Sequence, residues 1–133
     1  MDKYIVEYNN ELYNFVKIDY ITQEVYLVNL ENNVTPYFKK AIILCEFHKD
    51  IGIKDINNNP IYVDCSIVEF KVEIDTGVKN KPLIKTYQGY FYFDKSRLSY
   101  LIKTDRGIFN VCSAIDGNFK IIDTIQENKL GLI

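Results

Sequence analysis

The sequence predicts a mostly β protein, with an N-terminal β-hairpin subdomain over residues 1–50 and a small, partly open SH3-like β-barrel within residues 51–133, its strands running from about 61 to 127. Three observations carry that expectation. Apolar and polar residues alternate with a period of two along much of the chain. The apolar positions are rich in aromatic and β-branched residues, with 11 tyrosines and 8 phenylalanines, which suit a pleated, half-buried surface. The alternating segments are short and are separated by Asp, Gly, Asn and Pro, the punctuation of barrels and sandwiches. No long amphipathic helical pattern interrupts them.

The elements follow in order. "KYIVEY" and "ELYNFVKIDY" read as strands joined through Asn9-Asn10, a pair suited to a tight hairpin because Asn tolerates positive φ. "TQEVYLVNL" is a third strand, ended by Glu31-Asn32-Asn33. "TPYFKKAIILCEF" supports either a helix capped by Thr35 with Pro36 at its first position or a buried strand. One helical turn over residues 36–40 followed by a strand is the favoured reading. Beyond it come "PIYVDCSIVEFKVEI", "LIKTYQGYFYF", "LSYLIKT", "IFNVCSAI" and "FKIIDTI" as strands. Gly89 interrupts the strongest of them, which marks a bulge, a bend or the close approach of a neighbouring backbone.

Composition narrows the function classes. A net charge of −2 argues against a protein devoted to gripping phosphate backbones. No apolar run reaches the roughly 20 residues that span a bilayer. The polar N-terminus lacks a signal-peptide core, so a cytoplasmic location without membrane association is expected. Cys45, Cys65 and Cys112 are odd in number and widely spaced, and they read as small buried hydrophobes in strands rather than a disulfide framework.

Residues 51–68, "IGIKDINNNPIYVDCSIV", resemble a segment typical of the YopX family of phage-associated proteins, "GLKDKNGKEIYEGDIV". The match rests on Gly52-Ile53-Lys54-Asp55, Asn57-Asn58, Ile61-Tyr62 and Ile67-Val68. A second match lies in "KIIDTIQENKLGLI", where Ile121-Ile122, Ile125 and Glu127-Asn128 stand as in the family's closing segment, "EVIGNIYENPELL". Val63-Asp64-Cys65-Ser66 replaces the family's Gly-Asp, one residue longer and without glycine. Asp123 and Lys129 replace a Gly and a Pro. The resemblance covers roughly residues 44–133. It implies a small, mostly β protein encoded by phage or prophage, and it supplies a setting rather than a reaction.

The candidate chemistry is sparse. Asp55 and the three asparagines before Pro60 suit a self-bonded turn. The functional alternative has Lys54, Asp55 and Tyr62 projecting to meet a partner. His48 is the only histidine, and Cys45 and His48 point to opposite faces of a strand, so neither a dyad nor a metal site is expected. The histidine reads as isolated and partly exposed. Carboxylates are scattered, and no phosphate loop or nucleophile elbow is present. In "TYQGYFYFDKSRLSY", Tyr87, Gly89, Phe91 and Phe93 share one face, while Gln88, Tyr90, Tyr92 and Asp94 share the other. With Lys95 and Arg97 following, the second face is either buried or a platform for stacking a base or peptide ring.

These features point to a binding protein rather than an enzyme, with no cofactor. The expected partner is a host protein or small metabolite, occupied or sequestered by a phage-encoded accessory protein in a way that inhibits antiviral defence. Homo-oligomers fit the same reading. The binding residues expected are Lys54, Asp55, Tyr62, Tyr90, Tyr92 and Arg97. The alternatives are a nucleic-acid-binding small barrel, if Lys79, Lys81, Lys85, Lys95, Arg97, Lys103 and Arg106 converge, and a carboxylate-dependent hydrolase.

Overall fold

A computed structural model describes residues 4–30, 38–77 and 81–125. The protein is mostly β, and it divides into two compact units, Met1–Asp50 and Ile51–Ile133. The expected roles of Thr35, Pro36, Lys79 and Glu127-Asn128 lie outside the described residues.

The first unit is an antiparallel sheet. Its strands are β1 (Tyr4–Tyr8), β2 (Glu11–Asp19), β3 (Glu24–Asn29), β4 (Phe38–Ala41) and the first part of β5 (Cys45–Lys54), in the order β4-β3-β2-β1-β5. Asn9 and Asn10 join β1 to β2 with φ of 53° and 64°, the left-handed pair that a two-residue hairpin of this hand needs. Only Ile42–Leu44 separate the two outer strands, and four chain steps reach about 14 Å at most. Four strand spacings in a flat sheet would be about 19 Å. The sheet must therefore curl, and its concave side holds Val6, Val25 and Leu27, ringed by Tyr13, Phe15, Phe38 and Phe47.

That same geometry corrects the expectation for residues 38–44, while Cys45–Phe47 are strand as expected. Phe38, Lys39 and Lys40 are strand, paired with Leu27, Tyr26 and Val25, because β3 offers them an open ladder. Ile42–Leu44, expected as buried strand, form a 3-10 turn that carries the chain across the mouth of the curl. Ile43 is consequently 88% exposed.

The second unit begins at Ile51 within β5, whose neighbour there is β6 (Pro60–Tyr62). Its main sheet contains β7 (Ser66–Ile74), β8 (Leu83–Asp94), β9 (Ser99–Thr104), β10 (Gly107–Asn110) and β11 (Lys120–Thr124), ordered β10-β9-β8-β7-β11. The expected barrel is not closed, since β10 and β11 are the two ends of this order. "IFNVCSAI" is not one strand either. After β10 it tightens into a 3-10 turn over Val111–Ser113, and Cys112 there is exposed, against the expectation of burial. Cys65 is buried and Cys45 half-buried.

One face of the sheet supplies Val68, Phe70, Val72, Phe91 and Ile102 to a core completed by Ile61, Ala114 and Phe119. Phe119 sits centrally, its ring 5.1 Å from Phe91 and 5.6 Å from Phe70.

The Asn-rich stretch is a tight turn built around Asp55. The Oδ1 of Asp55 accepts the N–H groups of Asn57 (3.0 Å) and Asn59 (2.9 Å), and Oδ2 accepts the N–H of Ile121 (3.1 Å). Backbone bonds from Ile56 to Phe119 and from Asp55 to Asn59 reinforce it. Asn58 takes φ of 66°, which Asn tolerates. Burial opposes ionisation of Asp55, but the N–H donors of Asn59, Ile121 and Asn57 outweigh it and hold the carboxyl below its ordinary range. A depressed folded value contributes stability above the unfolded value of about 3.9 that is lost as pH falls through the folded one. Asp55→Asn keeps one oxygen but turns an amide N–H₂ toward at least one backbone donor. It should lower the stability of the second unit by about 3 kcal/mol, read as a shifted urea midpoint of the amide signals of β7–β9. It should also flatten the fall in stability below about pH 4.

Gly89 sits in unbroken register between Val68 and Thr104, so it marks a close approach and not a bulge. A Cβ there would lie 2.4 Å from the Lys103 carbonyl oxygen and 2.9 Å from Thr104 Cγ2. Backbone oxygen in a central sheet cannot retreat without breaking the ladder. Gly89→Ala should therefore cost about 2 kcal/mol or more by denaturant unfolding of the full chain, with a secondary-structure spectrum close to the parent's.

Candidate peptide-binding edge

β8 is longer than the strands beside it. β7 accompanies it from Leu83 to Tyr90, but β9 joins only at Gly89, opposite Thr104, and follows it to Asp94. Along Leu83–Gln88 the side of β8 that faces β9's row has no ladder partner among the described residues. Every second residue of such an edge turns its N–H and C=O outward.

The β9–β10 turn closes the end of this open stretch. Thr104 fixes the turn, donating its hydroxyl to the Gly107 carbonyl (2.8 Å) and accepting the Arg106 N–H (3.1 Å). Between the turn and the edge lies a cleft of about 540 Å³ lined by Lys85, Thr86, Tyr87, Gln88, Asp105 and Arg106. Tyr87 forms the floor, with its ring 4.6 Å from that of Phe109. Arg106 is largely exposed and its Nε lies 3.8 Å from the Asp105 carboxylate, a contact of little energetic weight at that exposure. Leu83 and Ile84 are also exposed. The edge thus combines apolar side chains, two cations and Asp105 with backbone ladder positions that have no partner among the described residues.

The residues expected from the sequence are placed elsewhere. Asp55 does not project. It is 6% exposed, and its oxygens are taken by the three backbone donors described above, because a five-residue turn needs an acceptor at its centre. Lys54 is exposed and Tyr62 half-buried, the latter donating its N–H to Ser66 Oγ. Tyr90 and Tyr92 are half-buried and sit across from Ile67 and Leu101, both buried. That face is therefore not an open stacking platform over its central part. Arg97 is exposed near Asp94, at 3.8 Å. Asp94 organises that hairpin, accepting from the Ser96 hydroxyl and from the N–H groups of Ser96 and Arg97. These donors, the Ser96 hydroxyl foremost, hold its carboxyl below the ordinary range.

The basic residues do not gather on one side. Lys85 and Arg106 share the cleft, whereas Lys95 and Arg97 lie past the opposite end of β8, on the order of 35 Å away by strand rise. His48 departs most from expectation. It is 4% exposed, and its Nε2–H lies 3.1 Å from Glu7 Oε1. Antiparallel pairing brings β1 alongside β5, a partnership no local pattern announced.

No family model, curated protein or solved structure matches this chain. The resemblance to the YopX family thus has no counterpart in those comparisons.

What sequence reasoning missed is the edge itself. A signal for it existed. The strand-like stretch from Leu83 to Asp94 spans 12 residues, twice the length of "SYLIKT", so a hairpin between them must leave half of the longer strand without that neighbour.

Proposed function

We propose that the protein is a non-catalytic binding module whose open β8 edge takes up an extended segment of another protein. The single observation that carries this reading is that, beside the cleft, the side of Leu83–Gln88 facing the row of β9 has no ladder partner among the described residues. Backbone groups in a row recognise another strand and no other common ligand shape. An incoming strand antiparallel to β8 continues the line of β9 and abuts the Thr104–Gly107 turn. Six residues at about 3.4 Å each give it a footprint of roughly 20 Å. Leu83 and Ile84 favour apolar side chains, and Lys85 with Arg106 favour an acidic one. The YopX resemblance adds a setting, a phage-encoded protein that occupies a host protein and so inhibits antiviral defence.

Panning a random peptide library against the full chain tests this reading. Recovered peptides should be extended, apolar and acidic, and should shift the amide signals of residues 83–88 and 104–107. The double variant Lys85→Glu/Arg106→Glu, altered only at the cleft wall, should weaken them at least tenfold, about 1.4 kcal/mol. Peptides that instead perturb Tyr62 or Tyr92, or that bind the double variant equally well, would overturn it. Concentration-dependent dimerisation through the same edge would replace the partner by a second copy and equally contradict it.

A further inference from the structure

A second, independent feature lies in the first unit. β1 and β5 pair with Glu7 opposite Glu46 and Ile5 opposite His48. Directly paired residues share a face, as do residues two apart on one strand. Glu7, Glu46 and His48 therefore emerge on the same side, away from the face that carries Val6 and Phe47. A carboxylate oxygen from each glutamate and a ring nitrogen of His48 all lie within 4.8 Å of one another, and His48 Nε2 is 3.1 Å from Glu7 Oε1. The three grade from buried to exposed. His48 is at the bottom, Glu7 is part-buried and Glu46 is open to water, so the group has a floor and an entrance.

We propose that these three side chains bind one divalent first-row transition-metal ion of the zinc class. A divalent cation placed among the three donor atoms takes one oxygen from each carboxylate and the imidazole nitrogen as its third donor. One nitrogen and two oxygens form a borderline-hard set that suits zinc or manganese better than magnesium or calcium, which favour all-oxygen shells. Ligand bonds of about 2.0–2.2 Å in a tetrahedron place donor atoms roughly 3.4 Å apart. The Glu7–His48 separation is already close to that spacing. Glu46, being exposed, can close the rest by a side-chain rotation alone. Three protein donors leave the fourth position to water. Binding replaces the direct His48 Nε2–Glu7 Oε1 contact and ties β1 to β5 across their ladder. This site and the β8 edge rest on different observations in different units, and neither requires the other.

Titration of the metal-free full chain with zinc chloride, followed by calorimetry and by the His48 ring signals in NMR, decides the matter. A background with Cys45, Cys65 and Cys112 all changed to Ser removes thiol binding. The expected result is one zinc per chain, a shifted His48 ring, and a rise in melting temperature. Glu46→Gln, at an exposed position that leaves the fold intact, should weaken binding at least tenfold and abolish the thermal shift. Zinc that binds without moving the His48 ring signals, affinity unchanged in Glu46→Gln, or no binding at millimolar zinc would each overturn the proposal.

Discussion

The carboxylate of Asp55 is the constraint on which the second unit depends. A turn of five residues between β5 and β6 exposes more backbone donors than its own carbonyls can accept. Asp55 satisfies two of them locally and uses its second oxygen on Ile121, 66 residues later in the chain. With the bond from Ile56 N–H to the Phe119 carbonyl, this fastens the turn to the start of β11. The fastening fixes where Phe119 enters the core, and Phe119 touches the rings of both Phe70 and Phe91. One buried charge thereby orders a hydrophobic core, and its backbone donors let the carboxylate sit inside with no cationic partner among the described residues.

A rigid centre lets the sheet carry an unsatisfied extension. At Gly89 and Tyr90 β8 is paired on both sides, and it approaches β9 so closely that only glycine fits at position 89. Just beyond that contact β9 turns away, while β7 and β8 continue together, with Val72 of β7 bridged to Ala114. Two strands alone are weakly stable in water, and this pair is held by Phe70 and Val72, which lie buried in the core. Natural sheets usually blunt such edges with charge, proline or bulges. Here Lys85 supplies some charge, but the ladder is regular and the neighbouring Leu83 and Ile84 are apolar. That combination suits a surface meant to be paired.

Legibility from sequence followed the range of each interaction. The all-β class, the Asn9-Asn10 hairpin and the special status of Gly89 were readable because period, turn chemistry and absence of a Cβ act locally. The division of β8 into two faces was readable for the same reason, and Phe91 lies buried on the face it shares with Tyr87 and Gly89, whereas Phe93 on that face is exposed. The inward direction of Asp55 was not, because its deciding partner is Ile121. The exposure of Ile42–Leu44 was hidden because it follows from the curl of a whole sheet and not from the apolarity of the segment. His48 illustrates the same limit. Glu46-x-His48 on a strand announces a shared face, but Glu7 joins them only through β1–β5 pairing. The edge of β8 lay in between. The unequal strand lengths were in the sequence, and only the pairing register says which residues lose a neighbour.

The proposed mode of binding requires that Leu83–Gln88 offer an unoccupied ladder side in the unbound protein. Native-state amide hydrogen exchange of the full chain, resolved residue by residue, measures this directly. The prediction is an alternating pattern along residues 83–88, with amides directed at β7 protected and the intervening ones exchanging near the rate of an unstructured chain. Gly89 and Tyr90, flanked by strands on both sides, should both be protected. Uniform protection of residues 83–88 would show that the edge is already covered within the molecule, and would contradict the proposed mode of binding.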